Sequence, residues 1–111
     1  MQHDIREIAM RRFASLAFVL LMLPASVLAA TVQIQIKGMN FHPTTVSVAP
    51  GTTVIWTNAD AFGHTATSDT RLWDSGMLQP GQTFSHTFDK PGSYPYHCAV
   101  HTFMTGTVTV K

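Results

Sequence analysis

The chain has 111 residues, enough for one domain, with seven Lys or Arg, six Asp or Glu, six histidines and one cysteine. The small basic excess belongs to the first thirty residues. From Ala30 onward Lys37, Arg71, Lys90 and Lys111 stand against Asp60, Asp69, Asp74 and Asp89, so no basic stripe remains to track a phosphate backbone and nucleic-acid binding is disfavoured.

Arg11 and Arg12 precede the apolar run Phe13 to Leu23, and Pro24 to Ala29 ends in small residues. That order of charged, apolar and cleavage regions is that of a secretory signal peptide. Residues 1–29 are expected to be such a leader, cut after Ala29, with translation starting at Met10 because Asp4 and Glu7 fit its charged region poorly. The apolar run is shorter than the roughly 20 residues that span a bilayer, so no stable membrane insertion is expected after cleavage. Residues 30–111 then form a single exported, periplasmic domain.

Within that domain Val32, Ile34 and Ile36 alternate with Gln33, Gln35 and Lys37, as in a strand with one buried face, and Gly38 ends the run. Thr44 to Val48 alternates again, Pro50-Gly51 makes a turn, and Thr52 to Thr57 is a β-branched run around Trp56. Asn58 to Gly63 reads as a loop leading to His64 and the short run Thr65 to Ser68, while Leu72 to Gly76 is ambiguous. Pro80-Gly81 turns into Gln82 to Phe88, Lys90-Pro91-Gly92 turns into the Tyr94 strand, and Thr107 to Lys111 closes the sheet. No window of helical length outside the leader shows a sustained apolar period of three to four. The pattern predicts an all-β Greek-key sandwich of about seven to eight strands, with Trp56, Phe84, Phe88, Tyr94 and Tyr96 in its core.

The chemistry is concentrated near the C-terminus, in Tyr94-Pro95-Tyr96-His97-Cys98-Ala99-Val100-His101-Thr102-Phe103-Met104. Cys98, His101 and Met104 recur every third residue, and thiolate, imidazole and thioether make a soft ligand set that suits copper better than magnesium or calcium. A lone cysteine in an exported chain is a free thiol, an intermolecular bridge or a metal ligand, and this loop selects the last. The distant His64 completes two histidines, one cysteine and a weak axial methionine, the ligand set of a type 1 blue-copper centre holding one copper ion. Strand alternation turns Tyr94, Tyr96 and Cys98 to one face and His97 to the other, which makes His97 a surface residue. His42 and His86 lack a second metal-type residue at useful spacing and read as structural. Met39 reads as a packing residue, and Met77 as one that packs in the core or near the site rather than as an axial ligand.

Gly92 to Gly106 resembles the copper loop of the cupredoxins, and its short His-x2-Met spacing is similar to amicyanin. The likeness continues upstream through Phe41-His42-Pro43, Ala49-Pro50-Gly51, Val54 to Asn58 and His64. It implies a Greek-key sandwich holding copper at His64, Cys98, His101 and Met104. Two positions depart from the amicyanin-like pattern. Thr65 stands where an asparagine braces the copper loop, and Ala99 and Val100 fill an interval that otherwise carries a proline. Both bear on loop rigidity and reduction potential rather than on copper binding.

These features predict a monomeric exported electron-transfer protein, not an enzyme, because protein fills all four ligand positions and a catalytic metal needs an open one. Storage or delivery of copper is the alternative, and a His97 bridge to a second copper has no second histidine cluster to serve it. With balanced charge, a redox partner protein is expected to dock on an apolar patch of Ala99, Val100 and Phe103 around His101, joined by Ala61 and Phe62.

Overall fold

The computed structural model describes residues 29–111, and the expected leader, Ala29 excepted, lies outside the described residues. Eight strands follow: β1 (Thr31–Lys37), β2 (Asn40–His42), β3 (Thr45–Val48), β4 (Thr52–Asn58), β5 (Thr67–Ser68), β6 (Thr83–Phe88), β7 (Gly92–His97) and β8 (Thr105–Val110). They form two four-stranded sheets, ordered β2-β1-β4-β6 and β3-β8-β7-β5. The expected all-β sandwich is therefore what forms. Both sheets are mixed, since β1 runs parallel to β4 and β3 parallel to β8.

Period-two alternation sets the core. In β4 Thr52, Val54, Trp56 and Asn58 are buried, and the registers Ile34↔Trp56 and Trp56↔Phe84 extend that row across three strands. The facing sheet contributes Tyr96 from β7 and Val108 and Val110 from β8. Their rings and branched chains close on Trp56, which meets Tyr96 edge to face at 5.4 Å and stacks on Trp73 at 5.9 Å. Trp56, Tyr96 and Phe88 are buried, and Phe84 and Tyr94 pack half-buried against them, as the alternation predicted. The ambiguous Leu72 to Gly76 stretch resolves into a loop whose Trp73 plugs this core.

One strand escaped the sequence pattern. β2 is three residues long, too short to alternate, yet its Phe41 is fully buried against Tyr96 at 4.7 Å. A turn with φ of 60° at both Gly38 and Met39 folds it back on β1. The left-handed conformation is easy for glycine and unusual for methionine, so other contacts must hold Met39 there. Met39 is partly buried against the core, the packing role expected of it. Across the β7–β8 pair, Gly106 lies opposite Tyr96, and a Cβ at that position would come within 2.4 Å of the Tyr96 ring. Only glycine lets this ring lie flat on the neighbouring strand.

His86 occupies the middle of the inner row of β6, between Phe84 and Phe88. Its ring stacks on Trp73 at 5.1 Å and meets Phe88 edge to face at 4.8 Å. Burial lowers its pKa below the ordinary 6.5, with Asp89 opposing. A depressed imidazole pKa means that the unfolded chain binds the proton more readily. The contribution of His86 to stability is therefore complete above pH 6.5 and is lost as pH falls through the lower native value. Denaturation midpoints of the metal-free protein should fall with acidification in this window, and His86→Phe should flatten that decline.

Candidate metal centre

Cys98 directly follows β7, and the alternation that buries Tyr96 buries Cys98 as well. The chain then curls back on itself: the Met104 N–H donates to the His101 carbonyl at 2.9 Å and the Cys98 N–H to the Met104 carbonyl at 3.0 Å. This closed turn brings His101 over Cys98. His64 comes from the β4–β5 connection, where it makes a two-way backbone bridge with Leu78, its N–H donating at 3.1 Å and its carbonyl accepting at 2.7 Å.

Three donor atoms meet there. His64 Nδ1 lies 3.8 Å from Cys98 Sγ, His101 Nδ1 lies 3.9 Å from the same sulfur, and the two nitrogens are 3.2 Å apart. The point equidistant from these corners is about 2.1 Å from each, within the range of about 2.0–2.3 Å that nitrogen and sulfur ligands keep to a first-row divalent ion. His64 and Cys98 are fully buried and His101 is half-buried. Met104 sits in the same turn and is also buried. Among the described residues this is the one group of three His, Cys, Asp or Glu side chains close enough to hold a metal.

The surroundings explain why the donors stand ready. His64 Nε2 donates to Asp60 Oδ2 at 2.9 Å, which fixes the proton on that nitrogen and leaves Nδ1 free to donate its lone pair. Asp60 is itself anchored, its two oxygens accepting the N–H groups of Gly38 at 2.7 Å and Met39 at 3.0 Å. The Met39 bond is the strongest influence holding the carboxyl below its ordinary pKa; burial opposes it, and the Gly38 and His64 contacts add to it. The same two bonds hold Met39 in its left-handed conformation.

Asn58 organises the loop between them. Buried at the end of the inner row of β4, its amide donates to the carbonyls of Phe62 at 2.7 Å and Leu78 at 2.8 Å and accepts the Asp60 N–H at 2.9 Å. In the sequence Asn58 and Asp60 both fall in a stretch that reads as a loop, Asn58 also closing the run Val54 to Asn58 that carries the cupredoxin likeness. The signal for Asn58 was present, because the parity of Thr52, Val54 and Trp56 continues to it; Asp60 left no such trace.

Thr65 supplies the brace expected of an asparagine. Its hydroxyl accepts the Ala99 N–H at 2.7 Å and bonds Thr67 Oγ1 at 2.8 Å, while its backbone N–H donates to Cys98 Sγ at 3.3 Å. The copper loop is thus tied at Ala99 despite the departure at position 65. For the Cys98 thiol, burial opposes ionisation, but N–H groups of Thr65, His101 and Val100 and the His64 ring overcome it, bringing the pKa down from 9.0 to about 6.

The other histidines stand apart. His97 points away from the core, as alternation required, pairs with Asp69, and lines a cleft of about 460 Å³ with Arg71, Trp73 and Ala99. His42 bonds the Lys37 carbonyl at 3.0 Å. Met77 does not pack in the core: it is 49% exposed and lies against Gly63, beside the site. A tight seat on glycine leaves its other side in solvent.

A buried thiolate and two imidazoles joined across a β-sandwich define a copper-binding protein. Residues 28–111 match the family model of the copper binding proteins of the plastocyanin/azurin family, and the chain belongs to that family. Copper is its cofactor, and blue-copper electron transfer is the activity that membership supports. It is 33% identical over 88 residues to amicyanin-alpha of Methylorubrum extorquens, covering 75% of this chain and 74% of that one. Amicyanin of Paracoccus denitrificans is 30% identical, with 78% and 70% covered. Among solved structures, a purple cupredoxin from Nitrosopumilus maritimus superposes with a TM-score of 0.68 at 33% identity, over 72% of this chain and 99% of that one.

Replacing Asn58 with Ala leaves the Phe62 carbonyl and the Asp60 N–H unpaired, while the Leu78 carbonyl keeps only the His64 N–H. It should destabilise the metal-free protein by about 1–3 kcal/mol, read as a lower urea midpoint at unchanged slope.

Proposed function

We propose that this chain is an exported monomer that passes single electrons between redox partners, with His64, Cys98 and His101 as its strong copper ligands and Met104 as the weak fourth. The observation that carries the reading is the donor triangle, set to metal-bond length by protein contacts alone. Copper supplies the one-electron Cu(II)/Cu(I) couple when bound. The chain's part is to hold still: Asp60 fixes the His64 ring, Thr65 ties the loop at Ala99, and the closed turn carries His101. Small rearrangement on gain or loss of an electron follows from that stiffness. It equally disfavours copper release, so storage or delivery is the weaker reading. Export is compatible with the start of β1 at Thr31, since a cut after Ala29 would leave all eight strands of the described residues intact.

Protein recovered from the exported fraction should begin at Ala30 and turn intensely blue or green with one Cu(II), because a thiolate donates strongly to that ion. Cys98→Ser should be colourless, and Met104→Gln should keep its colour while shifting the potential, as a weak axial ligand tunes the site. A colourless, copper-loaded wild type would refute the blue-copper assignment.

Docking follows from the surface around His101. Phe103 is 71% exposed, with its ring 6.3 Å from that of His101, and Phe62 and Val100 are also exposed. Alongside four positive and four negative side chains from Ala30 onward, this apolar face is the proposed contact. Electron self-exchange between oxidised and reduced copies should slow in Val100→Lys with the copper spectrum intact. Raising salt should change the wild-type rate only a few-fold, because little net charge is available to screen.

A further inference from the structure

Three methionines lie among the described residues, and they differ in access. Met104 is 1% exposed and Met39 packs against the core, whereas Met77 is 49% exposed. The Met77 thioether also lies close against the backbone of Gly63. A Cβ built on Gly63 would fall 2.6 Å from Met77 Sδ and 3.4 Å from its Cγ, so the sulfur rests in a notch that only glycine leaves open. The residue before that notch is the exposed Phe62, and the residue after it is His64. The Asn58 amide joins the Phe62 and Leu78 carbonyls, which holds the backbone of the Gly63 and Met77 segments side by side.

We propose that Met77 is a sulfoxidation site, at which a hydroperoxide reversibly closes the docking face. The inference rests on the apolar docking reading given above. The chemistry is balanced within its reactants: the sulfur gives two electrons to the peroxide, the O–O bond breaks as an S–O bond forms, and the second oxygen leaves as water from hydrogen peroxide or as an alcohol from an organic hydroperoxide. A strongly polar S–O group then stands in an apolar surface that works by excluding water. Access selects the residue, because a buried thioether is shielded from the oxidant. The notch selects the face of attack as well. Gly63 covers one side of Met77 Sδ and leaves the other to solvent, so attack from the open side should yield mainly one sulfoxide epimer. Since each of the two sulfoxide reductases acts on one epimer, only one of them should restore the protein.

The test uses the copper-loaded, oxidised protein treated with limiting hydrogen peroxide. Peptide mass mapping should place the first added oxygen on Met77, with Met39 and Met104 unmodified, and one reductase should remove most of it while the other removes little. Self-exchange should slow several-fold on oxidation and recover on repair, with the copper spectrum unchanged throughout. Met77→Leu, whatever its starting rate, should show no change with peroxide. First oxidation at Met104, or equal repair by both reductases, would overturn the proposed site. If Val100→Lys slows self-exchange but Met77 oxidation does not, the docking face stands and the proposed switch falls. If neither slows it, the docking reading falls along with the switch.

Discussion

The centre depends on one carboxylate. Asp60 joins a hairpin turn, which is a question of folding, to an imidazole, which is a question of chemistry, through three hydrogen bonds made by two oxygens. Remove it and two effects follow together: the left-handed Met39 loses the contacts that hold it, and the His64 ring loses the partner that fixes its proton. The turn's two successive N–H groups stabilise the ionised carboxylate by hydrogen bonding, so it keeps its charge beside a buried ring. Stability of the β1–β2 hairpin and orientation of a metal ligand are therefore one interaction rather than two.

That coupling clarifies how a small sandwich makes a stiff site. No single strand supplies it. Cys98 is placed by alternation along β7, His101 by a turn that closes on its own backbone, and His64 by a loop wrapped around the Asn58 amide. Each placement is local, and hydrogen bonds of side chain to backbone lock them to one another across the two sheets. Buried polar groups are costly when half-satisfied and rigid when fully satisfied. Here the Asn58 amide uses both donors and its acceptor.

Much of this was legible in the sequence, because two of its signals are strong. Alternation, β-branched runs and the turns between them place β1, β3, β4, β6 and β8 to within about two residues, and alternation of Tyr94, Tyr96 and Cys98 marks β7 and its faces. The spacing of Cys98, His101 and Met104 exposed the metal loop because soft donors are rare and cluster only for a reason. β2 was invisible, as three residues carry no period. Parallel pairing of β1 with β4 and of β3 with β8 leaves no local mark, because it is decided by which sheets can cover one another. Asp60 was hidden for a different cause: an acid in a loop is ordinarily solvated, and only the folded chain shows two turn amides and an imidazole converging on it. Thr65 illustrates the converse. A hydroxyl stands in place of the expected amide, and the backbone N–H of Ala99 donates to its oxygen.

The strand order carries a temporal consequence. β8, the last strand, lies in the interior of its sheet, between β3 and β7, and it is the sole neighbour of β3 among the described residues. A chain emerging from its N-terminal end can zip β1, β2 and β4, but it has nothing to lay β3 against until the final residues arrive. Two of the three donors precede that strand by only a few positions. The second sheet is thus closed by a pairing of segments far apart in the chain, the kind of contact that forms slowly, and the seat of Cys98 and His101 is completed only with it.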